Sequence, residues 1–136
     1  MKMNKINISC VALLLSLFTA PSSHASIHGS LKFIVEPNAT SKTDELFATQ
    51  PQVEAVDELG SRNKDFNDLI VFKLYSSSNC KGVFTYDGII ATNAVNGLAL
   101  FHDFKISQAG TYYLSAEDFF GHKVCSIHPV VVDASR

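Results

Sequence analysis

The chain has 136 residues, of which 46% are hydrophobic and 18% are charged, and its formal net charge at pH 7 is −2. This length suits a single domain with its own core. The basic residues are spread singly among acidic ones and do not form the clustered basic face that a phosphate backbone requires, so nucleic acid is excluded as an expected partner.

The first 25 residues are typical of a secretory signal peptide. Lys2 and Lys5 precede an apolar stretch that is too short to span a bilayer, and the small residues Ser23 and Ala25 suit the signal peptidase. We predict cleavage after Ala25, which changes the net charge from −2 to −4 because two lysines are removed. The remaining single domain, 26–136, has no second long apolar segment. We therefore expect a protein exported to the periplasm or the outside, without membrane insertion of the mature chain.

Cleavage also removes Cys10 and leaves Cys80 and Cys125 as the cysteines of the exported domain. An oxidising compartment favours a disulfide between them over a pair of free thiols. The loop that it closes is long, so chain entropy predicts a stabilisation of roughly 4 to 5 kcal/mol.

Alternating apolar and polar residues predict short strands throughout the mature chain. In chain order the predicted strands are 30–36, 52–57, 69–75, 83–86, 97–101, 111–116 and 124–132. The third is almost entirely apolar, as a central strand is, and we place Ile70, Phe72 and Leu74 inward. Pro129 predicts a bulge or an edge within the last strand. Between the first two strands, 39–51 is expected to be a long connection or an irregular edge segment with Phe47 buried.

The run from 92 to 116 indicates the fold most clearly. The residues of this run that are expected to share one core are Ala99, Phe101, Phe104, Ile106, Tyr112, Leu114 and Ala116. Tyr112 also stands where a tyrosine corner would place its hydroxyl against nearby backbone. About seven short strands, with no helical periodicity after residue 25, predict an all-β, Ig-like antiparallel sandwich with Greek-key connections.

Three motifs of this run occur in a fixed order: Val95-Asn96-Gly97-x-Ala99-x-Phe101, then Phe104-x-Ile106, then Ala109-Gly110-Thr111-Tyr112-x-Leu114-x-Ala116. With these motifs, nearly the whole mature chain resembles the bacterial Ig-like domains, of the Big or invasin-like kind, that occur in tandem on surface proteins and adhesins. The resemblance implies an Ig-like sandwich that serves as a spacer or a recognition module and carries no active site.

The chain differs from that group in two ways. It holds one copy rather than several, which favours binding over a spacer role. Antibody domains bridge their second and sixth strands, where Val53 or Ala55 and Leu114 stand here, so a bridge between Cys80 and Cys125 would be a different one. Such a bridge requires Cα atoms within about 7 Å, although in a simple sandwich these positions could lie toward opposite ends.

Phe119 and Phe120 are the candidate partner-binding residues. They are adjacent on a predicted turn, where two neighbouring aromatic side chains cannot both point into the core, so we expect at least one to be exposed. Exposed aromatic residues bury a large area at a small entropic cost and make good anchors for a partner. The alternative is that one packs under the loop and the other covers the sheet edge.

Asp57, Asp65 and Asp68 are weak metal candidates, because calcium takes six to eight oxygen ligands and these carboxylates gather around one predicted turn. The twelve-residue calcium-loop pattern does not occur, a lysine lies within the cluster, and Asp is common in turns for backbone reasons. We therefore predict no metal and no other cofactor.

The sequence contains no Gly-x-Ser-x-Gly elbow, and we predict no catalytic residues and no enzymatic activity. The expected function is that of an exported module for adhesion to, or recognition of, a protein or glycan at the bacterial surface. The alternative is a structural accessory subunit of an envelope or surface assembly, held through its sheet edge. A third class, a small hydrolase or metal-dependent enzyme, would need a concave polar pocket. The sequence predicts no oligomeric state.

Overall fold

The computed structural model describes residues 29–85, 87 and 90–135. The predicted signal peptide, 1–25, lies outside these residues. Within them the chain is all-β, and the predicted β-sandwich is confirmed. In chain order the strands are β1 Ser30–Val35, β2 Thr40–Lys42, β3 Gln52–Val56, β4 Leu69–Tyr75, β5 Phe84–Thr85, β6 Ala91–Asn93, β7 Leu98–Leu100, β8 Gly110–Glu117, β9 Lys123–Cys125 and β10 Val130–Asp133.

The strands form two sheets. The smaller sheet has the order β1-β3-β7, and the larger has the order β2-β10-β8-β4-β5. Strand β6 also pairs with β4, and β9 also pairs with β8. All of these pairs are antiparallel except β2 with β10, which is parallel.

The core is built around Phe72 on β4. Its ring stacks on Phe101, with centroids 4.1 Å apart, and meets the edge of Phe104 at 5.7 Å. Ile70 and Leu74, the inward neighbours of Phe72 on the same strand, are also buried, as predicted. Phe47 is buried against Phe104, as predicted, with centroids 4.8 Å apart. The expectation that it is the only buried side chain of 39–51 is wrong, because Pro51 at the end of the segment is also fully buried.

The run from 92 to 116 supplies the core as predicted, except that Tyr112 is half-buried at its border. The Tyr112 hydroxyl donates a hydrogen bond to the carbonyl of Gln108 at 3.1 Å, four residues upstream. This is the predicted tyrosine corner. It fixes the entry into β8, where Gly110 has a φ of 156°.

The predicted last strand, 124–132, is divided into β9 and β10. Between them Ser126 is turned inward, where its hydroxyl accepts a hydrogen bond from the Leu114 amide and donates one to the carbonyl of His128. The amides of Ile127 and His128 donate to the Glu36 carboxylate. Pro129, which has no N–H, follows this interruption, so the irregularity predicted from it is present.

Two strands of the structure were not predicted from the sequence. Strand β2 lies in the segment expected to be irregular, and β6 precedes the Asn-Gly turn. The predicted strand at 83–86 is reduced to Phe84–Thr85, with residue 86 outside the described residues.

The predicted disulfide joins Cys80 to Cys125, with Cα atoms 5.7 Å apart. This is within the range that a bridge allows. The two positions meet because β4 and β9 both pair with β8 and the loop after β4 turns back over that strand. The Lys123 ammonium donates to the Cys80 carbonyl at 2.5 Å and holds the same loop. The bridge therefore closes the outer face of the larger sheet and does not cross between the sheets.

Candidate functional site

Phe119 and Phe120 lie in the five-residue loop between β8 and β9, and both are exposed, to 78% and 65% of their surface. The prediction that at least one of them is exposed is therefore confirmed for both. The inner edge of the Phe120 ring meets the buried Phe66, with centroids 6.4 Å apart at an interplanar angle of 64°.

Asp118 holds this loop in one shape. Its Oδ1 accepts hydrogen bonds from the amides of Phe120 and His122, both at 2.9 Å, while its Oδ2 lies 3.0 Å from the imidazole of His122. The Asp118 amide donates to the His122 carbonyl at 3.2 Å. Gly121 has a positive φ of 93° and supplies the left-handed residue that closes the loop. The side chain of Asp118 is fully buried, so the loop is organised from within and its aromatic residues face out.

A second loop of the same construction follows β3. The Asp57 Oδ1 accepts hydrogen bonds from the amides of Leu59 and Ser61, and the Asp57 amide donates to the Ser61 carbonyl. Gly60 has a φ of 87° at the position equivalent to Gly121. We call Asp57–Ser61 and Asp118–His122 the twin loops. The third residue of each, Leu59 or Phe120, is an exposed apolar side chain, and Leu59 is 91% exposed.

The twin loops lie at the same end of the sandwich. The first leads to Phe66, whose ring contacts Phe120 of the second. The Gly97 amide donates a hydrogen bond of 2.8 Å to the Phe66 carbonyl. The Gly97 carbonyl in turn accepts a hydrogen bond from the Ala55 amide on β3. One loop comes from each sheet, so this end presents three exposed apolar side chains on two rigid supports.

The exposed position of Leu59 was not predicted from the sequence. A local pattern could have found it, because an Asp followed two residues later by an apolar residue and then Gly occurs at 57–60 and again at 118–121. An Asp side chain that caps the second following amide favours such turns.

A cavity of about 170 Å³ lies beside Phe119 and is also lined by Val71, Lys73, Glu117 and Asp118. The Lys73 ammonium donates to Glu117 Oε1 at 2.9 Å and lies 4.5 Å from the centre of the Phe84 ring. The floor of this site is therefore polar and the Phe119 side is apolar.

Glu117 is ionised in this setting. Burial by itself would raise the pKa of its carboxyl group, but hydrogen bonds from Ser115 and Lys73, together with the charges of Lys73 and Lys123, outweigh burial and lower the pKa below its ordinary value of 4.5. Ser115 is fully buried and donates to Glu117 Oε2 at 2.7 Å.

The three weak metal candidates have different partners. Asp57 caps the first twin loop, as described above. The carbonyl of Asp65 accepts a hydrogen bond from the Asn67 side chain, and the carbonyl of Asp68 accepts one from the Ala94 amide. Within 29–85, 87 and 90–135, no group of three His, Cys, Asp or Glu side chains converges as a metal site would require.

Neither a protein-family model nor a curated protein sequence matches the chain. The resemblance to bacterial Ig-like domains therefore remains a prediction. In the part of the chain that the structure describes, no helix has the length and apolar character of a membrane span.

Proposed function

We propose that this chain is an exported, non-enzymatic Ig-like recognition module of the bacterial surface, which binds a protein or glycan through the twin-loop end of its sandwich. The exposed pair Phe119 and Phe120 on a rigid loop carries this proposal. The predicted signal peptide and the disulfide support export.

The physical argument concerns the cost of binding. Aromatic side chains that are already held on an ordered loop lose little conformational freedom when a partner covers them. Asp118 fixes the backbone through two of its amides, and Phe66 supports one side of the Phe120 ring. The core is complete without the outer surfaces of these rings, since Phe119 leaves 78% of its surface in solvent. Folding alone does not account for two adjacent phenylalanines there.

The test compares the mature protein with two variants. The first is the double variant Phe119→Ser, Phe120→Ser, and the second is Ile127→Ser, a control that is also 78% exposed but lies in the interruption between β9 and β10. Each protein is immobilised and incubated with solubilised bacterial envelope, with host-surface extract and with a glycan array. Protease treatment and periodate oxidation of the extracts separate a protein partner from a glycan partner.

We expect saturable capture by the wild type and by Ile127→Ser, and loss of capture by the double variant, with melting temperatures within about 4 °C of one another because exposed substitutions change stability little. Unchanged capture by the double variant would refute the proposal. Stable co-purification with one envelope complex in all three proteins would favour the alternative, an accessory subunit held through its sheet edge.

A further inference from the structure

The hairpin formed by β6 and β7 opens where its two strands join different sheets. Its tip is a tight turn in which Asn96 and Gly97 have positive φ values of 52° and 82°, the type I′ geometry that Asn-Gly favours. Val95 and Leu98 close the turn with two backbone hydrogen bonds, of 2.9 and 3.1 Å. Beyond this pair β6 follows β4 and β7 follows β3, so the strands separate.

The separation leaves backbone groups of β7 directed into the gap. On either side of β7 the amide of Phe101 donates to the Pro51 carbonyl and the carbonyl of Gly97 accepts from the Ala55 amide, so the odd-numbered residues of this arm bond to β3 and the residue before it. Leu100 lies opposite Gln52 between these bonded pairs, and its N–H and C=O therefore point away from β3.

The same alternation holds on β6. Phe72 donates to the Ile90 carbonyl and Ala94 donates to the Asp68 carbonyl, so the even-numbered residues of this arm bond to β4. Asn93 lies opposite Leu69, between bonded pairs, and its N–H and C=O point outward.

Asn93 and Leu100 are the residues that would pair next if the hairpin continued beyond Val95 and Leu98. Between 90 and 104, where every residue is described, the structure gives neither residue a backbone partner on its outward side. Two strand edges with free hydrogen-bonding groups thus face one gap. Such edges are templates for the addition of another strand.

The gap between Asn93 and Leu100 is an open cleft. It contains a cavity of about 410 Å³ whose lining carries no Asp, Glu, Lys or Arg. Leu100 is 40% exposed and Val95 is 65% exposed at its apolar side, while Thr92 and Asn93 form its polar side. A smaller cavity of about 160 Å³ shares Thr92, Leu100 and His102 with it. Its apolar wall includes Phe101, and the exposed Asp103 also lines it.

We propose that this cleft binds an extended, uncharged peptide segment of a partner polypeptide, which inserts as a strand between β6 and β7. The inserted strand hydrogen-bonds to Asn93 on one side and to Leu100 on the other, and an apolar side chain of the peptide enters the smaller cavity. The tip of the hairpin adjoins the twin-loop end, because Gly97 donates to the Phe66 carbonyl, but the bonding groups of Asn93 and Leu100 belong to neither twin loop. The proposal therefore does not depend on the function proposed for the twin loops.

The test uses peptides selected from a displayed library of eight-residue sequences on the wild-type mature protein. Their dissociation constants are then measured for Leu100→Pro and for the matched control Leu100→Ala. Both variants lose the leucine side chain, but only proline removes the outward N–H. Proline is tolerated on an edge strand whose N–H faces outward, so pairing with β3 is retained. We expect binding at least tenfold weaker to Leu100→Pro than to Leu100→Ala, and unchanged binding to the double variant Phe119→Ser, Phe120→Ser.

A second measurement does not depend on the folding of any variant. In the wild-type protein, hydrogen exchange at the amides of Asn93 and Leu100 should slow when the selected peptide is added, and a peptide N-methylated at alternate residues should not produce this protection. Equal binding to both Leu100 variants, protection confined to Phe119 and Phe120, or failure to enrich any peptide would overturn the proposal. Protection of the same two amides by concentration-dependent dimerisation would assign the cleft to a second copy of the chain instead.

Discussion

The twin loops share one backbone design but present different side chains. In each, an Asp carboxylate caps the amides two and four residues later, and a glycine with positive φ precedes the last residue. Asp57–Ser61 exposes one apolar side chain, Leu59, whereas Asp118–His122 exposes two phenylalanines. The comparison shows that aspartate and glycine are sufficient to shape the loop. The second loop therefore exposes aromatic surface that its backbone design does not require, and the proposed recognition role would use this surface.

The largest effect should follow from removal of the capping carboxylates. We expect Asp118→Ala to lower the free energy of unfolding by about 2 kcal/mol, because two amides lose their acceptor and the imidazole of His122 loses its partner. Asp57→Ala should lower the free energy of unfolding by about 1 kcal/mol, since the Asp57 carboxylate caps two amides but has no contact equivalent to that with His122. Urea unfolding of both variants measures the difference. Equal losses would mean that the contact with His122 contributes nothing.

Substitution of the two loop glycines should give equal effects, each smaller than that of Asp118→Ala. At Gly60 and Gly121 an added Cβ meets no atom within 4 Å, so the cost of Gly→Ala arises only from the left-handed backbone. We expect each substitution to lower the free energy of unfolding by about 1 kcal/mol. The two variants are compared in the same urea titrations. A much larger loss at one site would show that the loops are not equivalent in energy.

The smallest effect concerns pH and Glu117, the residue before the second loop. Its pKa is lower in the folded protein than its ordinary value of 4.5. Its stabilising contribution is therefore complete above that value and is lost as the pH falls through the folded pKa. We expect Glu117→Gln to be less stable than the wild type at pH 7, with the gap narrowing as the pH falls below 4.5.

The control for this experiment is Glu58→Gln, which removes the same charge from the exposed first loop. Free energies of unfolding at several pH values between 7 and 3 provide the comparison. A gap for Glu117→Gln that stays constant with pH would contradict the lowered pKa.

Several strands were predictable because local pattern and burial agree. The almost wholly apolar 69–75 became β4, with Ile70, Phe72 and Leu74 buried, because a strand between two neighbours and under a second sheet is covered on its inner face. In the predicted last strand, 124–132, Pro129 indicated an interruption but not its form. Ser126 turns inward to bond to Leu114, a partner twelve residues away that no local pattern contains.

The candidate site was predictable only in part. Two adjacent phenylalanines on a turn imply exposure, because neither a strand nor a tight loop can bury both. The sequence contains the repeated Asp-x-apolar-Gly pattern of the twin loops. Only the tertiary structure shows that both loops lie at one end of the sandwich. The cleft at Asn93 and Leu100 was not predictable, since an Asn-Gly hairpin ordinarily keeps its two strands together.

The sequence by itself determined the alternation of the strands, the turns that separate them, the pair of cysteines available for a bridge and the position of the aromatic pair, because each depends on residues close together in the chain. The tertiary structure decided which sheet each strand joins. This choice brings Cys80 over β8 to reach Cys125, places a loop from each sheet at one end, and separates β6 from β7. These features depend on pairing between residues that are distant in sequence, and burial of the common core selects that pairing.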